Sequence, residues 1–265
     1  MEKLVITVAP TNTKWFKKDN PFMPETPEEI AEDVIKAYHE GAVVAHIHAR
    51  DDLGQETFET KYFRKIVERI RTETDMIIQL STAGAAVPFK EKLIPIGELK
   101  SDMASLNIRG SDQEIEYNAK FMKDNGITPI IEAFDLGMIK KANRLIEEGI
   151  IEQPAHFELV FDLESVPGKS FMEDAEEMIN RIKAMWPGSI WSRNRGAHNQ
   201  FQLDAMTIIL GGHIRVGLED NLFISPGQMA KGSYQFVIRT RKLCNALDRQ
   251  VASVEEARKL FQPIP

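Results

Sequence analysis

Two histidines separated by a single residue are the first candidates for chemistry in this sequence. His46 and His48 follow a run of apolar residues that predicts a buried β-strand. Because side chains alternate between the two faces of a strand, both imidazoles point into the same space. Two neutral imidazoles side by side are suited to binding one metal ion. A pair of half-buried core histidines bonded to the backbone is the alternative, but the polar turn at residues 50–51 favours the metal site.

A second polar segment lies far along the chain, at residues 211–221, and reads Gly-Gly-His-Ile-Arg-Val-Gly-Leu-Glu-Asp-Asn. Within it, Glu219 offers a carboxylate that would complete a metal site with His46 and His48. Such a set leaves positions open for water or substrate, which is typical of catalytic zinc and also suits other divalent metals, including ferrous iron. Arg215 and Asp220 predict an ion pair in which the arginine orients the carboxylate. A purely structural ion pair is the alternative.

Strand-like and helix-like segments alternate along the chain and must position these residues. The first helix begins at a capping box, with Thr26 as the N-cap, Pro27 at the first helical position and Glu29 at the third. The predicted strands cover residues 4–8, 42–49, 76–81, 103–107, 128–134, 155–161, 189–193 and 212–216. The predicted helices cover residues 27–39, 61–72, 113–124, 137–148, 174–185, 203–210 and 226–247, with a short one after residue 253. This pattern predicts an α/β fold, a (β/α)8 TIM barrel in a single domain over residues 1–265.

The carboxyl ends of the strands are where a barrel of this kind has its active site. Polar residues fall at those ends in this sequence, and we expect them to converge on one mouth. They are Thr11, Asn12 and Lys14 for strand one, His46, His48 and Arg50 for strand two, Ser81 and Thr82 for strand three, Ser105 and Asn107 for strand four, Glu132 for strand five, and Arg215, Glu219 and Asp220 for strand eight. A doubly wound open sheet is the alternative fold, although neither a Gly-x-Gly-x-x-Gly motif nor a P-loop follows a predicted strand.

Composition narrows the classes of function. The net charge of −7 gives no support for a nucleic-acid-binding surface. No apolar run approaches the roughly 18 residues that a membrane span needs, and the N-terminus shows no signal-peptide pattern, so a cytoplasmic location is expected. Cys244 is the only cysteine in the sequence, which excludes an internal disulfide and a cysteine metal cluster.

The chain resembles the β-keto acid cleavage enzyme family along almost its whole length. The resemblance rests above all on residues 46–51 (His-Ile-His-Ala-Arg-Asp) and on the segment 211–221. Four further motifs contribute: Ala-Pro-Thr-Asn at 9–12, Pro-Glu-Thr-Pro-Glu-Glu at 24–29, Gln-Leu-Ser-Thr-Ala-Gly at 79–84 and Ala-Ser-Leu-Asn at 104–107.

The resemblance implies a (β/α)8 barrel that binds a divalent metal, usually zinc, and needs no organic cofactor. It implies an acyl transferase and carbon–carbon lyase that takes a β-keto acid and acetyl-CoA and yields acetoacetate and a new acyl-CoA. A homo-oligomer, with a tetramer as the expected state, is implied as well. Two sequence features also favour an oligomer: the pair Trp15–Phe16, which we expect to be exposed, and the short C-terminal helix around residues 260–261.

The resemblance also assigns roles to residues. His46, His48 and Glu219 would be the metal ligands. Asp220, oriented by Arg215, would be the base that activates the methyl group of acetyl-CoA. Glu132 would lie near the metal. The residues that would hold the carboxylate of the keto acid are Ser81, Ser105 and Asn107.

Three segments depart from the family pattern. Lys14 stands where the family member that acts on an amino-keto acid has an acidic residue, so a cation here predicts an anionic or neutral substrate. The loop at residues 108–114 is shorter than in the family. The segment 192–198 lacks the usual Gly-x-Gly-Arg, and its arginines are Arg193 and Arg195. The last two departures bear on how CoA is bound.

Two other functions fit the same motifs. A His-x-His strand end is also typical of metal hydrolases on this barrel, in which metal-bound water is the nucleophile. A non-catalytic metabolite-binding or scaffold protein is the third reading, in which the loop changes have removed the CoA site. Dependence of β-keto acid turnover on acetyl-CoA separates the three.

Overall fold

Eight parallel strands close into a barrel in the computed structural model of the chain. The structure describes residues 2–12, 14–84, 86–160, 171–195 and 200–261, with the side chains of 171–174 excepted. The strands are β1 Ile6–Val8, β2 Val44–Ile47, β3 Ile77–Leu80, β4 Met103–Asn107, β5 Thr128–Ala133, β6 His156–Val160, β7 Ile190–Asn194 and β8 His213–Val216. Each pairs in parallel with the next in sequence, and β8 pairs with β1. The predicted (β/α)8 barrel is confirmed, and the open sheet is wrong.

Helices connect the strands and cover the barrel. They are α1 Pro27–His39, α2 Thr60–Glu73, α3 Phe89–Lys92, α4 Ile94–Glu98, α5 Asp112–Asp124, α6 Leu136–Glu147, α7 Phe171–Met185, α8 Gln200–Ile209, α9 Tyr234–Ala246 and α10 Val254–Phe261. The capping box of α1 is present, because the Thr26 hydroxyl accepts from the Glu29 amide while the Glu29 carboxylate accepts from the Thr26 amide. None of the helices described is both long and apolar enough to cross a membrane.

The connections between strands differ from the prediction in two places. The helix expected at 226–247 begins only at Tyr234, because the chain first forms a hairpin of Phe223–Ser225 with Gln228–Met229 that turns at Gly227, where φ is 76°. A second hairpin, Ala49–Arg50 with Glu56–Thr57, follows β2 and was not predicted. Both hairpins follow strands that carry candidate site residues.

The interior of the barrel changes from apolar to polar along the strands. At the amino ends, Val5, Val44, Ile77, Met103 and Ile130 form one buried cluster with Val254 and Ala257 of α10. Two residues further along each strand, the layer is entirely polar. Its members are Thr7, His46, Gln79, Ser105, Glu132, Glu158, Ser192 and Arg215. Burying charged groups is costly unless they are paired, so this layer needs an internal balance of charge.

The apolar outer face of the strands packs against the helices, so the outward-facing residues form the main core. Ile6, Ile47, Leu80 and Phe157 belong to this core and are all buried. Phe157 stacks on Trp186 beyond the end of α7, with ring centroids 5.1 Å apart. The polar layer inside the barrel is therefore held by an apolar shell around it.

Two buried histidines lie at the amino end of the barrel, away from the mouth. The backbone amide of Val5 donates to Nδ1 of His213 at 3.0 Å, and the ring of His156 lies 4.7 Å from that of Phe261 in α10. Burial lowers the pKa of both histidines to about 3. The folded state therefore keeps both rings neutral at pH values where the unfolded chain takes up protons.

Acid should destabilise the wild-type protein relative to a His156→Gln variant. Below the unfolded pKa of about 6.5 the unfolded chain gains a proton that the buried ring refuses, so stability is lost as the pH falls from there toward 3. The stability advantage of wild type over the variant should shrink by about 2 kcal/mol between pH 7 and pH 5. Urea unfolding at both pH values measures it, and the exposed His39→Gln variant is the control. A difference that does not change with pH would contradict the assignment.

Candidate active site

The candidate metal ligands come from opposite sides of β1, and one glycine allows them to meet. The amide of Ala9 donates to the carbonyl of Val216, and the amide of Glu219 donates to the carbonyl of Ala9 at 3.0 Å. Gly217 lies between them with φ of 148°, and a Cβ there would lie 2.1 Å from the carbonyl oxygen of Ala9. Only glycine fits this approach. The turn carries Glu219 over the end of β1 toward β2.

His46, His48 and Glu219 present their ligand atoms to one point, with all three atoms within 4.8 Å of one another. Nε2 of His46 lies 3.5 Å from Oε2 of Glu219, and Nε2 of His48 lies 3.6 Å from Oε1. These separations exceed hydrogen-bond lengths but match the edge of a tetrahedral zinc site, about 3.4 Å for bonds of about 2.1 Å.

Unsatisfied polar atoms support the same conclusion. Within the described part of the chain, both ring nitrogens of His46 and Oε2 of Glu219 are buried and make no hydrogen bond. Buried polar atoms of a folded protein normally have a partner. The three side chains therefore fit a divalent cation both in geometry and in the donors that they leave unused.

The two histidines differ in their electrostatics. Burial lowers the pKa of His46 far below its ordinary value, and the charge of Arg215 acts in the same direction. Burial also opposes protonation of His48, but Glu219 and the hydrogen bond with Glu56 outweigh it and raise its pKa to about 9. His46 is thus ready as a neutral ligand, whereas a metal ion would displace a proton from His48.

Arg215 is buried at the centre of the polar layer and contacts three carboxylates. Its Nε and Nη2 donate to the two oxygens of Asp220 at 2.9 and 3.0 Å, which is a bidentate pair. Nη1 donates to Glu158 at 3.1 Å, and Nη2 also contacts Glu219. The predicted pair of Arg215 and Asp220 is present in the structure, as one part of a larger network.

The pKa values of the carboxyl groups around Arg215 are shifted in opposite directions. Burial raises the pKa of Asp220 against the opposing effect of Arg215, and it raises that of Glu158 to about 7. Burial acts on Glu219 as well, but Arg215 and the two histidines outweigh it and hold the pKa of Glu219 well below its ordinary value. Burial also raises the pKa of Glu132, although a hydrogen bond with the Ser105 hydroxyl acts to lower it.

The residues predicted to bind the substrate lie at different depths. Ser81 and Ser105 are buried, where the Ser81 hydroxyl accepts from the amide of Ala83 and the Ser105 hydroxyl accepts from Gln79. Asn107 is half-buried, and its side-chain oxygen accepts from the amide of Arg109. Lys14 is exposed, and its Nζ lies 5.7 Å from the centre of the Trp15 ring. The structure thus places the first three in or above the polar layer and Lys14 at the outer edge.

Two arginines that the sequence analysis singled out, Arg50 at the end of strand two and Arg193 in the altered segment 192–198, bond to other parts of the protein. Arg50 is buried and donates to the carbonyls of Asn12, Trp15 and Gly54, so it joins the loop after β1 to the first hairpin. Arg193 is fully buried in an ion pair with Asp204 of α8, because it faces outward from β7.

Arg195 follows β7, is exposed and lies close enough to Asp220 for its charge to oppose the rise in the pKa of that carboxyl group. Residues 196–199, which include His198, lie outside the described part of the chain.

Sequence reasoning missed two carboxylates of the site. Glu158 is an acidic residue at an inward position, in the middle of a strand whose other residues are His156, Phe157, Leu159 and Val160, and that signal was available. Glu56 lies 3.2 Å from Nδ1 of His48. It is brought there by the hairpin after β2, which the turn residues 51–54 could have indicated.

Comparison with known proteins decides the family. The sequence model of the beta-keto acid cleavage enzyme family matches residues 3–262. The chain belongs to this family. The 3-keto-5-aminohexanoate cleavage enzyme of Fusobacterium nucleatum is 37% identical over 274 residues, which cover 98% of each sequence. The 3-oxoadipate:acetyl-CoA acetyltransferase of Cupriavidus necator is 31% identical and covers 97% of this chain and 94% of its own sequence.

The solved structures agree on the fold. The apo structure of ObcA superposes with a TM-score of 0.80 at 19% identity, and the match covers 91% of this chain and 65% of the ObcA chain. This beta-keto acid cleavage enzyme therefore has the barrel that its motifs predicted, and the family assignment made from those motifs is confirmed.

Removing Arg215 should destabilise this enzyme strongly. An Arg215→Leu variant leaves Glu158, Glu219 and Asp220 without their shared counter-charge, and breaking a buried pair of this kind costs about 3–5 kcal/mol. Urea unfolding at pH 8 in the presence of a chelator measures the loss. The loss should be smaller at pH 5, where the carboxylates protonate more easily.

The matched control for this prediction is Arg144→Leu. Arg144 also contacts two carboxylates, Glu116 and Glu148, but on the exposed surface, where ion pairs contribute little. Equal small effects of the two substitutions would contradict the role given to Arg215.

Proposed function

We propose that this enzyme transfers CoA between acyl groups by cleaving a β-keto acid with acetyl-CoA, which yields acetoacetate and a new acyl-CoA. The observation that carries the proposal is the His46, His48 and Glu219 set lying beside Asp220, which Arg215 holds in a bidentate pair. The names of the relatives support it, since one is an acetyl-CoA acetyltransferase and another is a keto-acid cleavage enzyme. The overall reaction balances in atoms and charge, and no oxidant or reductant is needed.

His46, His48 and Glu219 would hold the divalent metal, with zinc as the proposed ion. When bound, the metal supplies a Lewis acid for the keto oxygen of the substrate. By holding the metal, the three side chains would set its place relative to Asp220, which follows Glu219 directly in the sequence. Organic cofactors are not part of the proposal.

A carbanion at the methyl group of acetyl-CoA would not yield acetoacetate, because the bond that forms acetoacetate joins C2 of the keto acid to the acetyl carbonyl carbon. Asp220 is therefore proposed to take a proton from C2 of the β-keto acid, so that this carbon attacks the thioester carbonyl, and to return the proton to the same carbon once CoA has passed to the remaining acyl group and acetoacetate leaves. A carboxylate is a useful carbon base only where its surroundings raise its basicity, and the pKa of Asp220 is raised by burial. Arg215 fixes both oxygens of the carboxylate, so its orientation does not depend on the substrate. Glu132, which faces the same space, is proposed to act beside the metal.

The carboxylate of the keto acid is proposed to bind at Ser81, Ser105 and Asn107. These residues follow one another around the mouth, on the adjacent strands β3 and β4. Thr82 ties the two strands together, because its hydroxyl donates to the carbonyl of Ser105 at 2.9 Å. An anionic group bound there would lie on the side of the barrel next to β2 and its two histidines.

A panel of β-keto acids tests the proposed function. Wild-type enzyme should form a new CoA ester only when acetyl-CoA is present and should contain about one divalent metal per chain. His48→Ala should lose both metal and activity and keep its fold, with His39→Ala as the control. Turnover that does not need acetyl-CoA would favour the hydrolase, and metal binding without turnover of any keto acid would favour a binding protein.

We propose that Lys14 favours keto acids with an anionic or neutral tail. Two like charges about 4 Å apart repel by about 1 kcal/mol in water, which is about fivefold in specificity, and the exposure of Lys14 makes the aqueous value the relevant one. Lys14→Glu should therefore raise kcat/KM for an amino-keto acid and lower it for an acidic one by about that factor each.

Lys18→Glu, which makes the same change in the same loop, is the control for Lys14→Glu. If kcat/KM of the Lys14→Glu variant stays within about twofold of the wild-type value for both substrate classes, then Lys14 is only a solvated surface charge.

The expected homotetramer stays a prediction, and a sedimentation mass tests it. The two sequence features that favoured it are explained within one chain: Trp15 and Phe16 are half-buried, and Phe261 packs on His156. A cytoplasmic location stays a prediction too.

A further inference from the structure

The first hairpin brings a second carboxylate to the metal site. Its strands Ala49–Arg50 and Glu56–Thr57 pair antiparallel, and Arg50 stands opposite Glu56. The chain reverses through residues 51–54, where Oδ1 of Asp51 accepts from the amides of Leu53 and Gln55. As a result the Glu56 side chain, only 9% exposed, lies over the end of β2.

Glu56 contacts the nitrogen of His48 that faces away from Glu219. Oε1 of Glu56 lies 3.2 Å from Nδ1, while Nε2 on the other side of the ring lies 3.6 Å from Glu219. A hydrogen bond at one ring nitrogen sets which nitrogen carries the proton and fixes the plane of the ring. With Nδ1 donating to Glu56, the lone pair of Nε2 is directed at the point shared with His46.

A glycine makes room for the Glu56 carboxylate. A Cβ on Gly84 would lie 1.9 Å from Oε1 and 2.1 Å from Oε2 of Glu56, so no other residue fits without moving the carboxylate. Gly84 has φ of 107°, a conformation that also favours glycine. It ends the segment after β3 that begins with Ser81. The carboxylate is therefore seated between the hairpin and the β3 loop.

We propose that Glu56, seated on Gly84, is a positioning residue that orients His48 for metal binding. The proposal rests on the proposed metal site and extends it to Glu56, which none of the quoted motifs includes, and to Gly84, the last residue of the 79–84 motif, to which no role had been given. Removing such a partner typically weakens metal binding by about 10- to 100-fold. Glu56 acts through the imidazole of His48 and is given no contact with substrate.

Metal affinity, measured apart from turnover, tests this role. Zn²⁺ is titrated into metal-free protein against a competing chelator for wild type, Glu56→Gln, Glu56→Ala and the exposed control Glu59→Ala. Glu56→Ala should weaken binding by about 10- to 100-fold. Glu56→Gln, which keeps an acceptor oxygen but no charge, should fall between it and wild type, and the control should not change. Circular dichroism checks that each variant is folded.

The Gly84→Ala variant tests the proposal independently, because the added methyl group should displace the Glu56 carboxylate without removing it. Alone it should weaken Zn²⁺ binding, but in the Glu56→Ala background it should weaken binding no further, since the group through which it acts is gone. The visible spectrum of the Co²⁺-loaded proteins should change in both single variants, as the direction of one ligand changes. An equal effect of Gly84→Ala in both backgrounds would show that Gly84 acts through the fold and not through Glu56.

The outcomes separate this proposal from the proposed function. If wild type binds Zn²⁺ and His48→Ala does not, while both Glu56 variants bind as wild type does, then the positioning role is wrong and the metal site stands. If wild type itself binds no Zn²⁺, both are wrong.

Discussion

The bond network of Arg215 is the interaction on which the rest of the site depends. Its guanidinium group is buried inside the barrel and bonds to Glu158, Glu219 and Asp220. It therefore joins β6, which carries Glu158, to the turn after β8, which carries the other two. Arginine suits this position because its planar fork offers several donors at fixed angles and stays charged when buried. A lysine would offer one point charge and could not orient Asp220 through two bonds. The geometry of the candidate base is therefore set by the same residue that compensates its charge.

The loops deliver residues to the site through close approaches of the backbone. Gly217 lets the turn after β8 pass against Ala9, and Gly84 leaves space for Glu56. In both places a side chain on the glycine would displace a carboxylate or the backbone that carries it. The barrel fixes the inward direction of each strand, but these two contacts decide which carboxylates reach the histidines.

The sequence predicted those parts of the structure that local pattern determines. Strand β4 was predicted with its observed ends, and the capping box placed the start of α1 correctly, because both depend on neighbouring residues alone. The convergence of His46, His48 and Glu219 followed from the closing of a barrel, since β1 is the only strand between their elements. The start of the helix predicted from residue 226 was wrong because the hairpin that turns at Gly227 extends to Met229, so the helix begins only at Tyr234.

Side-chain direction and chain reversal account for the other misses. Arg193 was named for its bearing on CoA binding, yet strand alternation turns it outward to Asp204, whereas Glu158 is turned inward by the same rule. Glu56 is eight residues from His48 in sequence, and only the turn at 51–54 brings it back. Alternation assigns a residue to a face only when the register of its strand is known, and the sequence alone fixes neither that register nor the length of a hairpin.

Glu219 and Asp220 show how one arginine can serve two different roles. They are neighbours in sequence, both are nearly or fully buried, and both contact Arg215, yet their pKa values shift in opposite directions. Burial raises both, but Glu219 also faces two imidazoles, which favour its anion, whereas Asp220 faces the charge of Glu219, which opposes ionisation. Carboxyl groups separated in this way are suited to separate tasks. Glu219 remains an anion fit to be a ligand, while Asp220 gains the proton affinity that a base requires.

The negative charge of the carboxyl groups around the candidate site also favours binding of a metal ion. Glu132, Glu158, Glu219 and Asp220 are four carboxyl groups, and without a metal they face two positive charges, those of Arg215 and of His48, whose pKa is raised to about 9. The pKa of Glu158, raised to about 7, lets that group stay partly protonated at neutral pH, which lowers the repulsion without removing it, and burial raises the pKa of Glu132 as well. A divalent cation between His46, His48 and Glu219 would supply the missing positive charge where the unsatisfied atoms lie. It would also favour the anions of all four carboxyl groups, so binding of the metal and ionisation of Asp220 would reinforce each other.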